Sequence, residues 1–453
     1  MGESSLPNAP LSERVRANLS FNNPLWKIFS RVGNNHYHPA NNPDGILNLG
    51  VAENKMMRGE LVKHLNPKLE LTESQLGYGP DPSGSTKVRE QIADMVNSHF
   101  APVDPVLPAH ITVHNGTTSA IDIFSYVTCD PGEGIMIAAP YYGGFDFDTF
   151  MRAKAPIVEV SMAPADMLHP ERHVELMEAA YQKAVAEGIL VRSIIFTNPH
   201  NPLGQCHPRA LIENLLRFAN RYNLHILFDE IYALSVFNTE LNELGIDSGT
   251  EFHSVLSYPH LADLIDPSLV HVIHGMSKDF CFNGLRIGYL ISPWNSTFIN
   301  AVKTVSAFTW FSGTTEHVLT QFFSDPAWVA EFIQGNRRSL AQAYLHMARF
   351  LKRQNIPFIP SRAGHFIWVN LRRFCCSEGQ SDGPGNEDEK EEEVTMAAAD
   401  ALFDRILDAG VYIAPGIVFH THEPGWFRIS FAAPQSEVDV GLTRLLKALA
   451  ISG

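Results

Sequence analysis

The stretch "HGMSKDFCFNGLRIGYL", His274 to Leu290, places one lysine where a lysine is hard to accommodate. Lys278 follows the apolar run Leu269 to Ile273, which reads as a buried strand, and Ser277 precedes it. An ammonium is strongly hydrated and rarely sits at the end of a core strand without a partner. A lysine that bonds an aldehyde as a Schiff base removes the difficulty, because an imine replaces the ammonium. Three more polar groups stand at the ends of apolar runs. Gly116-Thr117-Thr118 follows "ITVHN" and opens an amphipathic segment, where free backbone N–H groups can take an anion. "FTNPHNPLG", Phe196 to Gly204, holds two Asn-Pro pairs that force a turn-rich path. Asp229 in "LFDEIY" ends another run, so its carboxylate needs a strong donor or a helix to cap. Taken singly, these features also read as a turn, a loop and a capping residue.

Together they fit one ligand. Pyridoxal phosphate needs a lysine for its aldehyde, an acid against its ring nitrogen, donors on its phenolic oxygen and a nest for its phosphate. Lys278 and Asp229 supply the first two. Asn201 and Tyr232 can supply the third. Gly116, Thr117, Ser277 and Arg286 can supply the fourth.

These groups need elements to position them. From Ile111 onward, apolar runs of strand length alternate with helix-length amphipathic segments: "ITVHNG", "GIMIAAP", "PIVEV", "LVRSIIFTNP", "LHILFDE", "LVHVIHG" and "RIGYLIS" as strands, "TTSAIDIFSYVTC", "ERHVELMEAAYQKAVAEG" and "RALIENLLRFANRY" as helices. This alternation predicts an α/β fold with a mostly parallel sheet covered on both faces. Ligands in such sheets bind outside the carboxyl ends of the strands, where every motif above falls. After about Ser312 a long helical region runs to Gln354. "GHFIWVNL", a helix from Val394 to Asp408, "VYIAPG" and "WFRISFA" then predict a small α+β unit. The lone strand in "ILNLGVAEN" is expected to join it. The expected organisation is an N-terminal arm and part of the small domain over 1–60, a large cofactor-binding domain over 61–311, and a small domain over 312–453.

Composition bounds the partners. The formal charge of −15 argues against nucleic acid or an anionic membrane surface. Much of that charge is local: "SEGQSDGPGNEDEKEEE", residues 377–393, holds eight acids and one lysine and reads as a solvated surface insertion. Five cysteines without CxxC spacing do not suit a disulfide framework, and twenty histidines include no HExxH, so no metal site is expected. Met1 to Ser20 has no apolar leader, which leads to the expectation of a cytoplasmic protein.

"LGVAEN", "PYYGGFD", "TNPHNPLG", "DEIYALSVF", "SKDFCFNGLRIG" and "EPGWFRISFA" make the chain resemble fold-type I pyridoxal-phosphate enzymes, and within them the 1-aminocyclopropane-1-carboxylate (ACC) synthase family. The resemblance implies a seven-stranded, mostly parallel sheet and a homodimer with shared sites. It implies that Lys278 carries the cofactor as an aldimine and moves the Cα proton, that Asp229 pairs with the ring nitrogen, and that Tyr232 and Asn201 bond the phenolic oxygen. Tyr142 would stack on the ring, and Thr117, Thr118, Ser277 and Arg286 would hold the phosphate. Arg428 would clamp the substrate carboxylate as a planar fork. Tyr78 would reach the neighbouring subunit's phosphate, and Glu53 would lie near the substrate. Two positions depart from the plant pattern: Gly275 stands for a serine, and Phe147 for an arginine. Three outcomes follow a quinonoid at Cα: cyclisation of S-adenosylmethionine to ACC with loss of methylthioadenosine, transamination, or C–S elimination. A degenerate, regulatory protein is the non-enzymatic alternative, and the presence of Lys278, Asp229, Tyr232, Asn201, Arg286 and Arg428 disfavours it.

Overall fold

The computed structural model describes residues 11–19, 21, 24–243, 246, 249–375 and 394–451. The acidic stretch 377–393, and most of the terminus read as lacking a leader, lie outside these. A two-residue strand, β1 (Leu47–Asn48), comes first and stands apart from the main sheet. That sheet consists of β2 (Ile111–His114), β3 (Gly134–Ala139), β4 (Ile157–Ser161), β5 (Val191–Thr197), β6 (His225–Asp229), β7 (Val270–Gly275) and β8 (Gly288–Ile291). Their order is β2-β8-β7-β6-β5-β3-β4. Only β8 runs against its neighbours, β2 and β7; every other pairing is parallel. The alternation of strands and helices forces this arrangement, because each parallel pair needs a crossover helix. Strands β2, β7 and β8 are buried at every position, as unbroken apolar runs in a doubly covered sheet should be.

The smaller α+β unit holds β9 (Phe358–Ile359), β10 (Phe366–Asn370), β11 (Val411–Tyr412), β12 (Ala414–Pro415) and β13 (Trp426–Ser430). Four of them form an antiparallel sheet in the order β12-β13-β10-β9, with Trp368 opposite Arg428. β1 pairs in parallel with β11, so the lone N-terminal strand joins this unit. The long helical region is two helices, Gly313–Phe322 and Pro326–Arg353. Asp325 separates them: its carboxylate accepts from the Trp328 N–H, and Pro326 takes the first helical position. The next helix is Met396–Asp408, with the Thr395 hydroxyl accepting from the Ala398 N–H. Among the described residues, no helix is long and apolar enough to cross a membrane.

Strand β8 passes hard against the start of helix Thr117–Thr128. A Cβ at Gly288 would collide with the Thr117 nitrogen and the Gly116 carbonyl carbon. Gly288→Ala is therefore expected to destabilise the protein by about 1–3 kcal/mol in urea unfolding and to loosen cofactor retention. Gly284→Ala is the control: nothing lies within 4 Å of its Cβ position. Equal stability of the two variants would refute this account of the contact.

Candidate active site

The carboxyl ends of β5, β6 and β7 and the start of helix Thr117–Thr128 open into one cavity. Lys278, Asp229, Asn201, Tyr232, Tyr142, Thr117, Thr118, Ser277, Arg286 and Arg428 all line it. Asp229 is the last residue of β6, and Lys278 follows β7 by three positions. Neighbouring parallel strands thus bring together two groups that lie far apart in sequence.

Lys278 is half-buried, and its Nζ donates to the Ala52 carbonyl oxygen at 2.7 Å. Burial, with help from the Arg428 charge, lowers its pKa to about 8, against the opposing pull of Glu53 and Asp229. Asp229 is 7 % exposed and accepts from the Ile231 N–H at 3.2 Å. Burial pushes its carboxyl up to about 7, and that backbone bond and Lys278 only partly oppose the shift. A cationic ring nitrogen beside it would draw the group back to its ionised form. Tyr232 is buried, with its ring edge-on to His365 and Phe366.

The phosphate nest is mostly backbone. Gly116 has φ +91°, and no side chain caps the helix that it starts, so the first N–H groups stay available. A Cβ at Gly116 would strike the Arg286 guanidinium, so only glycine allows that arginine across the helix start. Arg286 has φ +55°, and its Nη1 donates to the Asn283 carbonyl at 3.0 Å. Gly275 likewise has no room for a side chain. A Cβ there would meet the Ile287 carbonyl oxygen and Gly288 Cα, so the absent serine is dictated by packing.

Arg428 is 4 % exposed. Its Nη1 donates to Asn201 Oδ1 and its Nη2 to the Gly50 carbonyl, both at 2.7 Å. The first bond fixes the Asn201 amide, since arginine only donates, and leaves Nδ2 as the free donor. Phe366 and Phe419 each hold a ring 4.7 Å from the guanidinium carbon, which sets the plane of the fork.

Three of the sequence-derived positions fall elsewhere. Tyr78 is 95 % exposed, near Trp310, and lines no part of its own chain's cavity. Glu53 lies just outside the lining, ion-paired with Arg58. Phe147 packs on Phe21 and does not line the cavity. Asp148 was missed. It is 6 % exposed in the cavity wall, and burial together with the charges of Asp122, Asp229 and Asp146 raises its pKa well above the usual carboxylate range. The spacing Phe145-x-x-Asp148 on one short helix was the available signal, since both line the cavity. Ala52, Phe366 and Phe419 carried no signal of their own.

The residues present fit pyridoxal phosphate: an acid, a low-pKa lysine, an uncapped helix start and an arginine share one cavity. Residues 44–445 match the family described as aminotransferase class I and II. The chain is 32 % identical to the mouse 1-aminocyclopropane-1-carboxylate synthase-like protein 1, covering 91 % of this chain and 78 % of that one. It is 31 % identical to a probable aminotransferase of Aspergillus fumigatus, covering 98 % and 97 %. It is 30 % identical to a human protein named probable inactive 1-aminocyclopropane-1-carboxylate synthase-like protein 2, covering 99 % and 75 %. Aspartate aminotransferase from Thermus thermophilus shares the fold, with a TM-score of 0.72 at 19 % identity over 97 % of this chain and all of that one.

In the cofactor-free protein, Lys278 should titrate near pH 8 instead of 10.5, read by pH-dependent reductive methylation and peptide mass spectrometry. Asp229 and Glu53 raise that value, so Asp229→Asn or Glu53→Gln should lower it further. A midpoint above pH 10, or an upward move in either variant, contradicts this electrostatic picture.

Proposed function

From the premise that the chain belongs to the class I and II aminotransferase family and uses pyridoxal phosphate, we propose an enzyme that acts at Cα of an amino acid with ACC synthase-like chemistry. The observation that carries this reading is the convergence of Lys278, Asp229 and the Asn201–Arg428 pair on one cavity. When bound, the cofactor supplies an electron sink for negative charge at Cα. Lys278 would hold its aldehyde carbon and later move the Cα proton, with a pKa suited to work near neutrality. Asp229 would face the ring nitrogen, Asn201 Nδ2 and Tyr232 the phenolic oxygen, and Tyr142 the ring face. Gly116, Thr117, Thr118, Ser277 and Arg286 would hold the phosphate. Arg428 would bind the substrate carboxylate, and Glu53 would stand toward the rest of the substrate. The carboxylate clamp and the lysine together orient the bond to be broken at Cα.

The preferred reaction is conversion of S-adenosylmethionine to ACC and methylthioadenosine, supported by the ACC synthase-like relatives. Transamination is the second reading, supported by the family description and by the Aspergillus fumigatus relative's name. C–S elimination shares the same first step. A catalytically silent protein, as the human relative's name suggests for that protein, is disfavoured by the full set of polar groups in one cavity.

Parallel incubations with S-adenosylmethionine, with an α-amino acid plus 2-oxoglutarate, and with a cysteine S-conjugate separate the outcomes. ACC with methylthioadenosine is expected from the first; amino-acid product from the second alone would replace the preferred reading with transamination. Borohydride should fix the cofactor on the peptide bearing Lys278, and Lys278→Ala should carry no label. Label on another lysine would refute the assignment.

Tyr78 would complete the phosphate site of a second copy of this chain, which accounts for its exposure. Mixing Tyr78→Ala with Lys278→Ala subunits should then restore roughly a quarter of wild-type activity, since half the dimers gain one intact site. A mixture as inactive as its parents, despite demonstrated subunit exchange and a severely impaired Tyr78→Ala parent, would place Tyr78 in its own subunit's function.

A further inference from the structure

Between β12 and β13 the chain makes a tight turn, Gly416–Phe419, followed by His420. This turn rests on the loop that carries Tyr142. The Tyr141 N–H donates to the Phe419 carbonyl at 2.8 Å, and a Cβ at Gly143 would collide with the Val418 carbonyl oxygen. His420 has φ +58°, a left-handed conformation that a non-glycine residue rarely adopts. Its ring stacks on Tyr141, with centroids 4.3 Å apart and planes 12° apart. Its Nε2 lies 2.9 Å from Asp146 Oδ2, and its Nδ1 lies 3.3 Å from Glu159 Oε2. An ionised carboxylate only accepts, so the Asp146 bond puts a hydrogen on Nε2, and the second carboxylate beside Nδ1 favours the imidazolium form of the ring.

We propose that His420 is a positioning residue, an imidazolium latch that holds the turn bearing Phe419, and through it the Arg428 guanidinium, against the loop that bears Tyr142. The chain of contact is short. Phe419 packs on Arg428 at 4.7 Å and lines the cavity with Val418. Asp146 belongs to the same short helix as Phe145 and Asp148, which also line the cavity. The latch therefore joins the two walls between which a substrate carboxylate and the cofactor ring would meet. The side chains of His420 and Asp146 are 29 % and 14 % exposed, so solvent screens their pairing only in part.

The charged and titratable groups facing His420 are Asp146, Glu159, Tyr141 and His422. Asp146 also accepts from the Tyr141 hydroxyl at 2.9 Å, and Glu159 also takes His422 Nε2 at 2.5 Å. Burial pulls the His420 pKa down, but the hydrogen bonds to Asp146 and Glu159 outweigh it and raise it to about 9. A base whose pKa rises on folding stabilises the fold fully below its unfolded pKa, about 6.5. That contribution fades as pH climbs through about 9.

The inference rests on Arg428 as the carboxylate clamp, and the test separates the two claims. The full-length, cofactor-loaded protein is titrated calorimetrically with 3-phenylpropionate and with 3-phenylpropionamide. His420→Asn suits the left-handed backbone and removes the cation. It should weaken the carboxylate about tenfold and leave the amide unchanged. Asp146→Asn should act alike, and the double variant should lose no more than either single one. The melting temperature of His420→Asn should fall by about 2 °C at pH 6.5, with at least half of that gap gone by pH 10.5. Unchanged carboxylate affinity in His420→Asn, additive losses in the double variant, or a melting gap independent of pH each overturns the latch. Arg428→Ala should abolish the preference for carboxylate over amide. If that preference survives, the Arg428 reading fails, while the melting gap still decides on the latch itself.

Discussion

Two cations, Lys278 and Arg428, share one cavity, and much of the surrounding structure exists to make that tolerable. Their mutual repulsion adds to burial in lowering the lysine's affinity for its proton. Neither has an ion-pair partner within bonding distance among the described residues. Each leans instead on a backbone carbonyl of the same turn, Ala52 for Lys278 and Gly50 for Arg428. That turn must therefore be held firmly. The Leu49 N–H donates to the Tyr412 carbonyl at 2.9 Å, and the Ser430 N–H donates to the Leu49 carbonyl at 2.7 Å. The strand β1 and its partner β11 thus anchor the turn that carries the acceptors for both cations.

Behind the cavity a second buried network fixes Lys278 from the other side. The neighbouring Asp279 is fully buried and turned away from the site. Its carboxylate accepts from His274 Nε2 and the Leu234 N–H at 2.8 Å each, and from the Ser235 hydroxyl at 2.5 Å. These bonds tie the turn bearing Lys278 to the segment just after Tyr232. Asn336, on the long helix, donates to the Asp279 carbonyl at 3.3 Å and accepts from Asn54 at 2.7 Å, which closes a circuit back to the Ala52 turn. Ser235 gives its only hydrogen to Asp279, so His365 Nε2, 3.3 Å away, must be the donor to Ser235. Burial and the two cations keep His365 neutral, which suits that arrangement. Breaking one member would leave buried donors without acceptors, a cost larger than the bond itself.

The anion-binding end of the cavity follows a different logic. Its attraction comes from geometry as much as from side-chain charge: a glycine with positive φ, an uncapped helix of twelve residues and an arginine laid across its start. The acids are arranged to avoid adding charge there. Burial and the neighbouring acids raise the Asp148 pKa well above the usual range, and burial raises that of Asp229 to about 7, so a nearby cation would favour its ionised form. A site built this way receives an anion at one end and a cationic ring nitrogen at the other, which matches the two charged ends of pyridoxal phosphate.

Groups governed by local pattern were legible in the sequence. Asp229 and Lys278 announce themselves because a charged residue at the end of an apolar strand demands an explanation. Gly116-Thr117-Thr118 does so because a strand-to-helix junction has unpaired N–H groups whatever the fold. The alternation of strands and helices dictated a mostly parallel sheet and hence a site at its carboxyl edge. Nothing local marks Ala52, whose carbonyl meets a lysine 226 residues away, and the Asn-Pro pattern that marks Asn201 gives no sign that its amide meets an arginine 227 residues away. Phe366 and Phe419 look like ordinary core residues until β10 and the turn after β12 bring both rings to Arg428. The splitting of the long helical region at Asp325 was readable from Asp-Pro but was overridden by the apolar period on both sides. Composition and period set which residues are buried and which elements they form. Which buried polar groups satisfy one another depends on how distant segments pack, and only the tertiary structure decides that.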